Sequence, residues 1–289
     1  MNNIFVFSAA NAAAKAILKV TAVHPKPGLA TPIDINALDG VNYNQKLDAC
    51  MALIPCFINC ASIGVETAEL NPEDAFSILR PALAVGEQSA LLASKGAVRL
   101  RGEIFLLGLL CAASGRLKAQ KLNLTRMALT LTASSFVRGL CERELFNLNL
   151  DNVKTPGERA YLNFGIEGVR GEAEHGYSLS LRAAGLLSNI TDMHGHLNFR
   201  NLALHTLIYI VSENSDACIA AHNGIDKLIY AQSESKKILD ECGEFNLVSL
   251  EAAAKLDKDF RKYGISPRGS EVILAAALCI MGLSSYDFK

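Results

Sequence analysis

Ile104-Phe105-Leu106-Leu107-Gly108-Leu109-Leu110-Cys111-Ala112-Ala113 is apolar on every face. A helix with no polar stripe is one surrounded by other helices, because any face turned to water would carry polar residues. The run is too short to cross a bilayer, which takes about 20 apolar residues. It therefore predicts a helical protein organised around a buried central helix. On both sides of it, apolar residues recur at helical spacing and helix-start signals recur, whereas strand alternation is scarce. The expected fold is all-α, a single multi-helix domain over residues 1–289, with no internal repeat, low-complexity tract or linker.

Upstream, Ser8 is placed to cap a first helix running to Val23, and His24-Pro25-Lys26-Pro27-Gly28 must break it, since two prolines remove donors and fix φ. That break is expected to be a rigid, exposed loop carrying a cation. A second helix is expected from Asn44, with Leu47, Met51, Ile54 and Ile58 on one face and a kink or boundary at Pro55. Asn71-Pro72-Glu73 reads as a cap followed by proline at the first helical position, opening a helix that carries Glu87 toward Gly96. Downstream, Thr155-Pro156-Gly157-Glu158 has the spacing of a capping box. Further helices are expected over 202–213, 224–242, 249–263 and 270–281.

The chain has 289 residues, half of them hydrophobic and 20% charged, with a formal charge of −1. This is an ordinary globular composition, with no charge excess to recruit nucleic acid or an anionic membrane surface. Residues 1–14 lack the basic start and apolar run of a secretory signal, so a cytoplasmic protein is expected, with its eight cysteines reduced. No CxxC pair supplies zinc-ligand spacing. Apolar helix faces serve equally as core or as subunit contacts, which leaves room for a homo-oligomer.

Chemistry is most concentrated in Gly165-Ile166-Glu167-Gly168-Val169-Arg170-Gly171-Glu172-Ala173-Glu174-His175-Gly176-Tyr177. Glycines this dense make a poor helix core but a good loop for bringing backbone, carboxylates and an arginine against a ligand. A solvated turn holding an Arg–Glu pair is the plainer reading. His194-Gly195-His196 offers two imidazoles at i,i+2, without a neighbouring carboxylate pair to complete a metal site. Arg99 and Arg101 read as a basic turn unless they line a phosphate site.

Several blocks together resemble the triphosphoribosyl-dephospho-CoA synthase family. These are Arg170-Gly171-Glu172-Ala173-Glu174 with Gly176-Tyr177, Ser134-Ser135-Phe136-Val137-Arg138-Gly139-Leu140 with Arg143-Glu144-Leu145, and Phe105 to Ala113. Pro25-Lys26-Pro27-Gly28-Leu29 is similar to the family's N-terminal Pro-Lys-Pro-Gly-Leu, and Ser266-Pro267-Arg268-Gly269-Ser270 to its C-terminal Ser-Pro-Gly-Gly-Ser. The likeness covers nearly the whole chain. Polar positions depart from it: the family's Asn-Thr-His-Lys-Gly is Val98-Arg99-Leu100-Arg101-Gly102, an aspartate is Ser89, Asp-Thr-Asn is Asp216-Ala217-Cys218, and Ala-Asp is Glu271-Val272. The Arg-Gly-Gly that follows Asp216 in the family is His222-Asn223-Gly224.

The resemblance implies a transferase in which the ribose 2′-hydroxyl of dephospho-CoA attacks C1′ of ATP, adenine leaves, and the triphosphate stays on the transferred sugar. It implies Glu172 or Glu174 as general base or oxocarbenium stabiliser. It implies Lys26, Gly28, Arg101, Gly102, Arg170, Arg268, Gly269 and Ser270 around nucleotide and phosphates. Asp216 and Glu87 become candidate metal ligands, with Mg²⁺ accompanying ATP as substrate. ATP and dephospho-CoA are the expected small-molecule partners. The departures favour a second possibility, a catalytically silent relative that binds nucleotide or CoA or partners an active copy. Glu271 is a displaced carboxylate able to replace the aspartate.

Overall fold

A computed structural model describes residues 2–34, 40–194, 198–243 and 246–285. Helices α1 (Asn2–Thr21), α2 (Tyr43–Met51), α3 (Ile54–Glu66), α4 (Pro72–Ala93) and α5 (Arg101–Ala119) make the first half of the order. They are followed by α6 (Arg126–Phe136), α7 (Leu140–Leu145), α8 (Pro156–Phe164), α9 (Gly168–Glu174) and α10 (Ser178–His194). The chain closes with α11 (Phe199–Glu213), α12 (Ala217–Asn223), α13 (Ile225–Cys242), α14 (Leu250–Tyr263) and α15 (Arg268–Ser284). Among the described residues there is no extended strand, as the periodicity requires.

The apolar run lies inside α5, which is buried from Glu103 to Leu117 but for Phe105. α3, α15, α6, α1 and α4 pack around it. Leu106, Leu107, Leu109 and Leu110 lose all contact with water, each contributing about 1.5–3 kcal/mol of burial free energy. α3 lies so close to α5 that a Cβ on Gly64 would stand 1.9 Å from the Ala112 carbonyl oxygen, and one on Gly115 would stand 2.1 Å from that of Ala61. Glycine is what lets these two backbones touch.

Caps sit where the sequence puts them. Asn71 accepts from the Glu73 N–H with Pro72 opening α4, Thr155 and Glu158 form the capping box of α8, and Pro55 stands in the first turn of α3 beyond a break from α2. Three expectations need correction. α1 starts well before Ser8, whose hydroxyl donates back to the Ile4 carbonyl at 2.9 Å instead of capping. The 165–177 segment is no loop, since it contains α9. The break after α1 is buried, not exposed. Two stretches, Ile4–Thr21 and Tyr43–Glu66, match a membrane span in length and apolarity, but at least half of each is buried inside the protein, the position of core helices. The described cysteines are free thiols.

Candidate functional site

After α1 the chain turns under the last helices. The His24–Pro25 bond is cis, and Gly28 at φ +74° donates its N–H to Asp257 Oδ1 at 2.8 Å. A Cβ at Gly28 would sit 2.1 Å from the Ile265 carbonyl oxygen, so the loop is pressed against the turn that leads into α15. Gly28 thus serves close packing here. Lys26 is consequently driven inside, with no exposed surface. Its Nζ donates to Glu271 Oε1 at 2.6 Å and to the Thr21 carbonyl at 3.4 Å. The other Glu271 oxygen accepts from Lys46 Nζ at 2.5 Å. In this conformation the Lys26 ammonium, expected on a phosphate, is spent on a buried carboxylate.

Electrostatics follow from this packing. Burial lowers the Lys26 pKa to about 8, with Glu271 only partly offsetting it and Lys46 adding repulsion. Burial opposes ionisation of Glu271 too, yet the two ammonium groups and their hydrogen bonds overcome it and hold the carboxyl at about 2. Lys46 differs from Lys26 because it stands between two carboxylates, Glu271 and Glu103, whose attraction outweighs its desolvation and raises its pKa. Glu103 of α5 lies near enough to add its attraction beside the bonded series Lys26–Glu271–Lys46, which is drawn from a loop and from α15 and α2. Lys46, Glu103 and Glu271 line a crevice with no room for a water molecule.

α15 starts beside this series. Its first turn has no cap of its own, and Asp216 supplies one from the start of α12. Asp216 Oδ2 accepts from Ser270 N–H at 2.7 Å and Ser270 Oγ at 2.9 Å. Oδ1 accepts from the N–H groups of Cys218, Ile219 and Gly269 at 2.9, 3.3 and 3.3 Å. The buried carboxylate joins two helix starts, and its lone pairs are used in doing so. Burial raises its pKa, with those donors pulling the other way. Asp216, expected as a metal ligand, forms this clip here, and Gly269 and Ser270, expected at a phosphate, give their N–H groups to it. Gly269 must be glycine, for a Cβ there would lie 2.8 Å from Asp216 Oδ1.

The glycine-rich segment is likewise bound up internally. Glu172 Oε1 accepts from the N–H and hydroxyl of Ser180 at 2.7 and 2.8 Å, at the start of α10. Glu174 accepts from Gly139 N–H at 2.6 Å and Cys141 N–H at 2.7 Å, at the start of α7. Burial works against the Glu174 anion, but these N–H donors prevail and lower its pKa, which makes it a weaker base. Arg170 donates from Nε to Glu144 at 2.8 Å and lies 3.6 Å from Glu158, while Glu144 also pairs with Arg80. Charged residues expected at one reacting centre thus fasten α7, α8, α9 and α10 together.

Arg101 opens α5, where its Nε donates to Glu87 at 2.6 Å and Arg99 donates to the same oxygen at 3.2 Å. Two guanidinium groups around Glu87 make a poor seat for Mg²⁺, and among the described residues no cluster of three His, Cys, Asp or Glu side chains could hold a metal. A resident metal on Glu87 and Asp216 therefore does not fit. Gly102 packs close to Val272 and Val169, bringing the starts of α5, α9 and α15 together. Arg268 reaches across to the Arg99 carbonyl at 3.3 Å. His196 and Gly195 lie outside the described residues, as does the side chain of His194.

Of the expected residues, Lys26, Gly28, Arg101, Gly102, Asp216, Arg268, Gly269 and Ser270 meet around the starts of α5 and α15. Arg170, Glu172 and Glu174 point into a separate set of helix ties. Two residues were missed by sequence reading, Lys46 and Glu103. Their one signal was a charge beside otherwise apolar helical positions, which is easily read as a solvated face.

A family model described as "ATP:dephospho-CoA triphosphoribosyl transferase" matches residues 7–288. A Citrobacter koseri protein named "Probable 2-(5''-triphosphoribosyl)-3'-dephosphocoenzyme-A synthase" is 34% identical over 277 residues, covering 94% of this chain and 89% of its own length. No solved structure matches. With a family match running almost from end to end and helix starts gathered on a basic rim, the chain belongs to the ATP:dephospho-CoA triphosphoribosyl transferase family.

Proposed function

We propose that this protein transfers the triphosphoribosyl group of ATP to the ribose 2′-hydroxyl of 3′-dephospho-CoA, releasing adenine. The observation that carries this reading is the family match over residues 7–288. The site supports it in kind. Such a transfer breaks and makes bonds at one anomeric carbon and leaves the triphosphate intact, so it needs phosphate clamps apart from the reacting carbon. On this reading Arg268, Arg101 and Arg99 at the starts of α15 and α5 hold the triphosphate, together with N–H groups at the start of α5.

Mg²⁺ enters as part of the MgATP substrate, because the carboxylates once expected to bind it are occupied by N–H donors or arginines. The working compartment on this reading is the cytoplasm, where both substrates are available. Incubating the purified protein with MgATP and dephospho-CoA should yield equimolar free adenine and a triphosphoribosylated dephospho-CoA by mass spectrometry. ATP recovered unchanged would sink the reading.

A further inference from the structure

Large apolar side chains left exposed on the described helices come singly or in pairs, except on α4, which carries three. Ile78, Val85 and Leu92 are 48%, 65% and 80% exposed and follow one another at intervals of seven residues, which sets them in a line along the helix. Pro81 and Gln88, also exposed, fall between them, so the outward face repeats at steps of three and four, the spacing of a helix seam. Beside the line the exposed residues Ser77 and Ala84 are small, which lets another helix come close. The two charges within this stretch turn aside to partners in their own chain, Arg80 to Glu144 and Glu87 to Arg99 and Arg101. A helix face that meets water is normally charged, whereas an exposed apolar stripe running over four turns marks a contact surface.

The order of residues says what covers it. Ile78 and Leu92 lie equally far on either side of Val85, and so do Pro81 and Ser89. A face symmetric about its own midpoint is matched by the same face turned end for end, the arrangement in which residue i of one copy meets j of the other and j meets i. In that register Val85 meets Val85, and Ile78 meets Leu92 of the second copy. Charge agrees with it. α4 opens with Glu73 and Asp74, and Lys95 follows its last turn. Turned end for end, Asp74 falls within one residue of Lys95 of the second copy, whereas a parallel pair would set acid against acid. Within one chain these two residues stand about 30 Å apart along the axis, too far to serve each other. With a formal charge of −1, no long-range repulsion opposes association.

We propose that α4 is a dimerisation helix, on which two copies of this chain pair antiparallel about a two-fold axis at Val85. One helix pair is a small interface, so the dimer is reversible, with a dissociation constant on the order of micromolar.

Sedimentation equilibrium of the full-length protein, loaded from about 1 to 100 µM, tests this. The mass should rise with concentration from 31.0 kDa toward twice that value. Val85→Glu sets two carboxylates against each other on the axis and should weaken association at least about tenfold, with helical circular dichroism unchanged because the position is exposed. Ile229→Glu, at an exposed apolar position on α13, should leave association as it is. Asp74→Lys should weaken pairing, and Asp74→Lys/Lys95→Asp should restore it. Under a thiol oxidant Val85→Cys should give a covalent dimer and Ile78→Cys should not, since antiparallel pairing holds the two copies of position 78 about 20 Å apart. A wild type that stays at 31.0 kDa throughout, or a folded Val85→Glu variant that associates like the wild type, overturns the proposal. Crosslinking through Ile78→Cys with none through Val85→Cys does so too. Should Val85→Glu fail to fold, the two cysteine variants decide.

Discussion

At the scale of the residue, the decisive object is the buried charge series, because its cations and carboxylates balance only while they are kept or lost in pairs. Removing Glu271 strands two ammonium groups in an interior that cannot hydrate them, which typically costs about 3–5 kcal/mol. Glu271→Gln should therefore unfold at markedly lower urea, and Lys26→Met should be destabilised too. The double variant Lys26→Met/Glu271→Gln keeps Lys46 opposite Glu103 and should lose at least about 2 kcal/mol less than the two single losses added together. Additive losses would mean the pair is not coupled. The pH response has a definite sign: Glu271 is held at about 2 against an ordinary 4.5, so its stabilisation is present above pH 4.5 and lost as pH falls toward 2. Urea midpoints of the wild type should drop more steeply between pH 5 and pH 3 than those of Glu271→Gln. None of this was legible in the chain, where Lys26 and Glu271 lie 245 positions apart and Pro-Lys-Pro-Gly reads as a surface turn. What reverses that reading is the packing of Gly28 on Ile265, a tertiary contact.

At the scale of the element, the sequence was most informative where chemistry is local. A cap such as Asn71 or Thr155 binds within its own turn, so its spacing is visible in the chain and the helix follows. α9 was hidden for the opposite reason. Its glycines lower helix propensity, and the short helix is held instead by ties from Glu172 and Glu174 to α10 and α7. The same distinction predicts opposite outcomes for two glycine-to-alanine changes. Gly185 in α10 has nothing within 4 Å of a would-be Cβ, so Gly185→Ala should stabilise by about 0.5–1 kcal/mol through lower chain entropy. Gly115→Ala puts a methyl 2.1 Å from the Ala61 carbonyl oxygen, forcing α3 from α5, and should cost about 1–3 kcal/mol or more. Thermal or urea unfolding of both variants checks the pair, and a stabilised Gly115→Ala would show that α3 and α5 do not meet as described.

At the scale of the molecule, a formal charge of −1 gives no long-range pull on a triphosphate, so attraction must come from local charge at the starts of α5 and α15. At the proposed triphosphate site Glu87 would compete with the substrate, for it already holds Arg99 and Arg101 at 3.2 and 2.6 Å. The sequence reading made Glu87 a metal ligand, and the two roles predict opposite signs. As a ligand for Mg²⁺, its conversion to glutamine would weaken MgATP binding. As a counter-charge, Glu87→Gln frees two guanidinium groups and should tighten MgATP by roughly threefold at low salt, about 0.6 kcal/mol. Arg268→Ala, which removes a cation from the same rim, should weaken binding about tenfold, or 1.4 kcal/mol. Both effects should shrink as ionic strength rises from about 0.05 to 0.5 M, since these side chains are partly exposed and the Debye length contracts. Arg170→Ala should leave the affinity within about twofold and lower stability instead, because its partners Glu144 and Glu158 belong to the ties among α7, α8 and α9. Calorimetric titration of the three variants with MgATP separates the possibilities. Weaker binding in Glu87→Gln restores the metal role, unchanged affinity in Arg268→Ala removes that arginine from the site, and a large loss in Arg170→Ala would move the triphosphate from the α5–α15 rim to the glycine-rich helix.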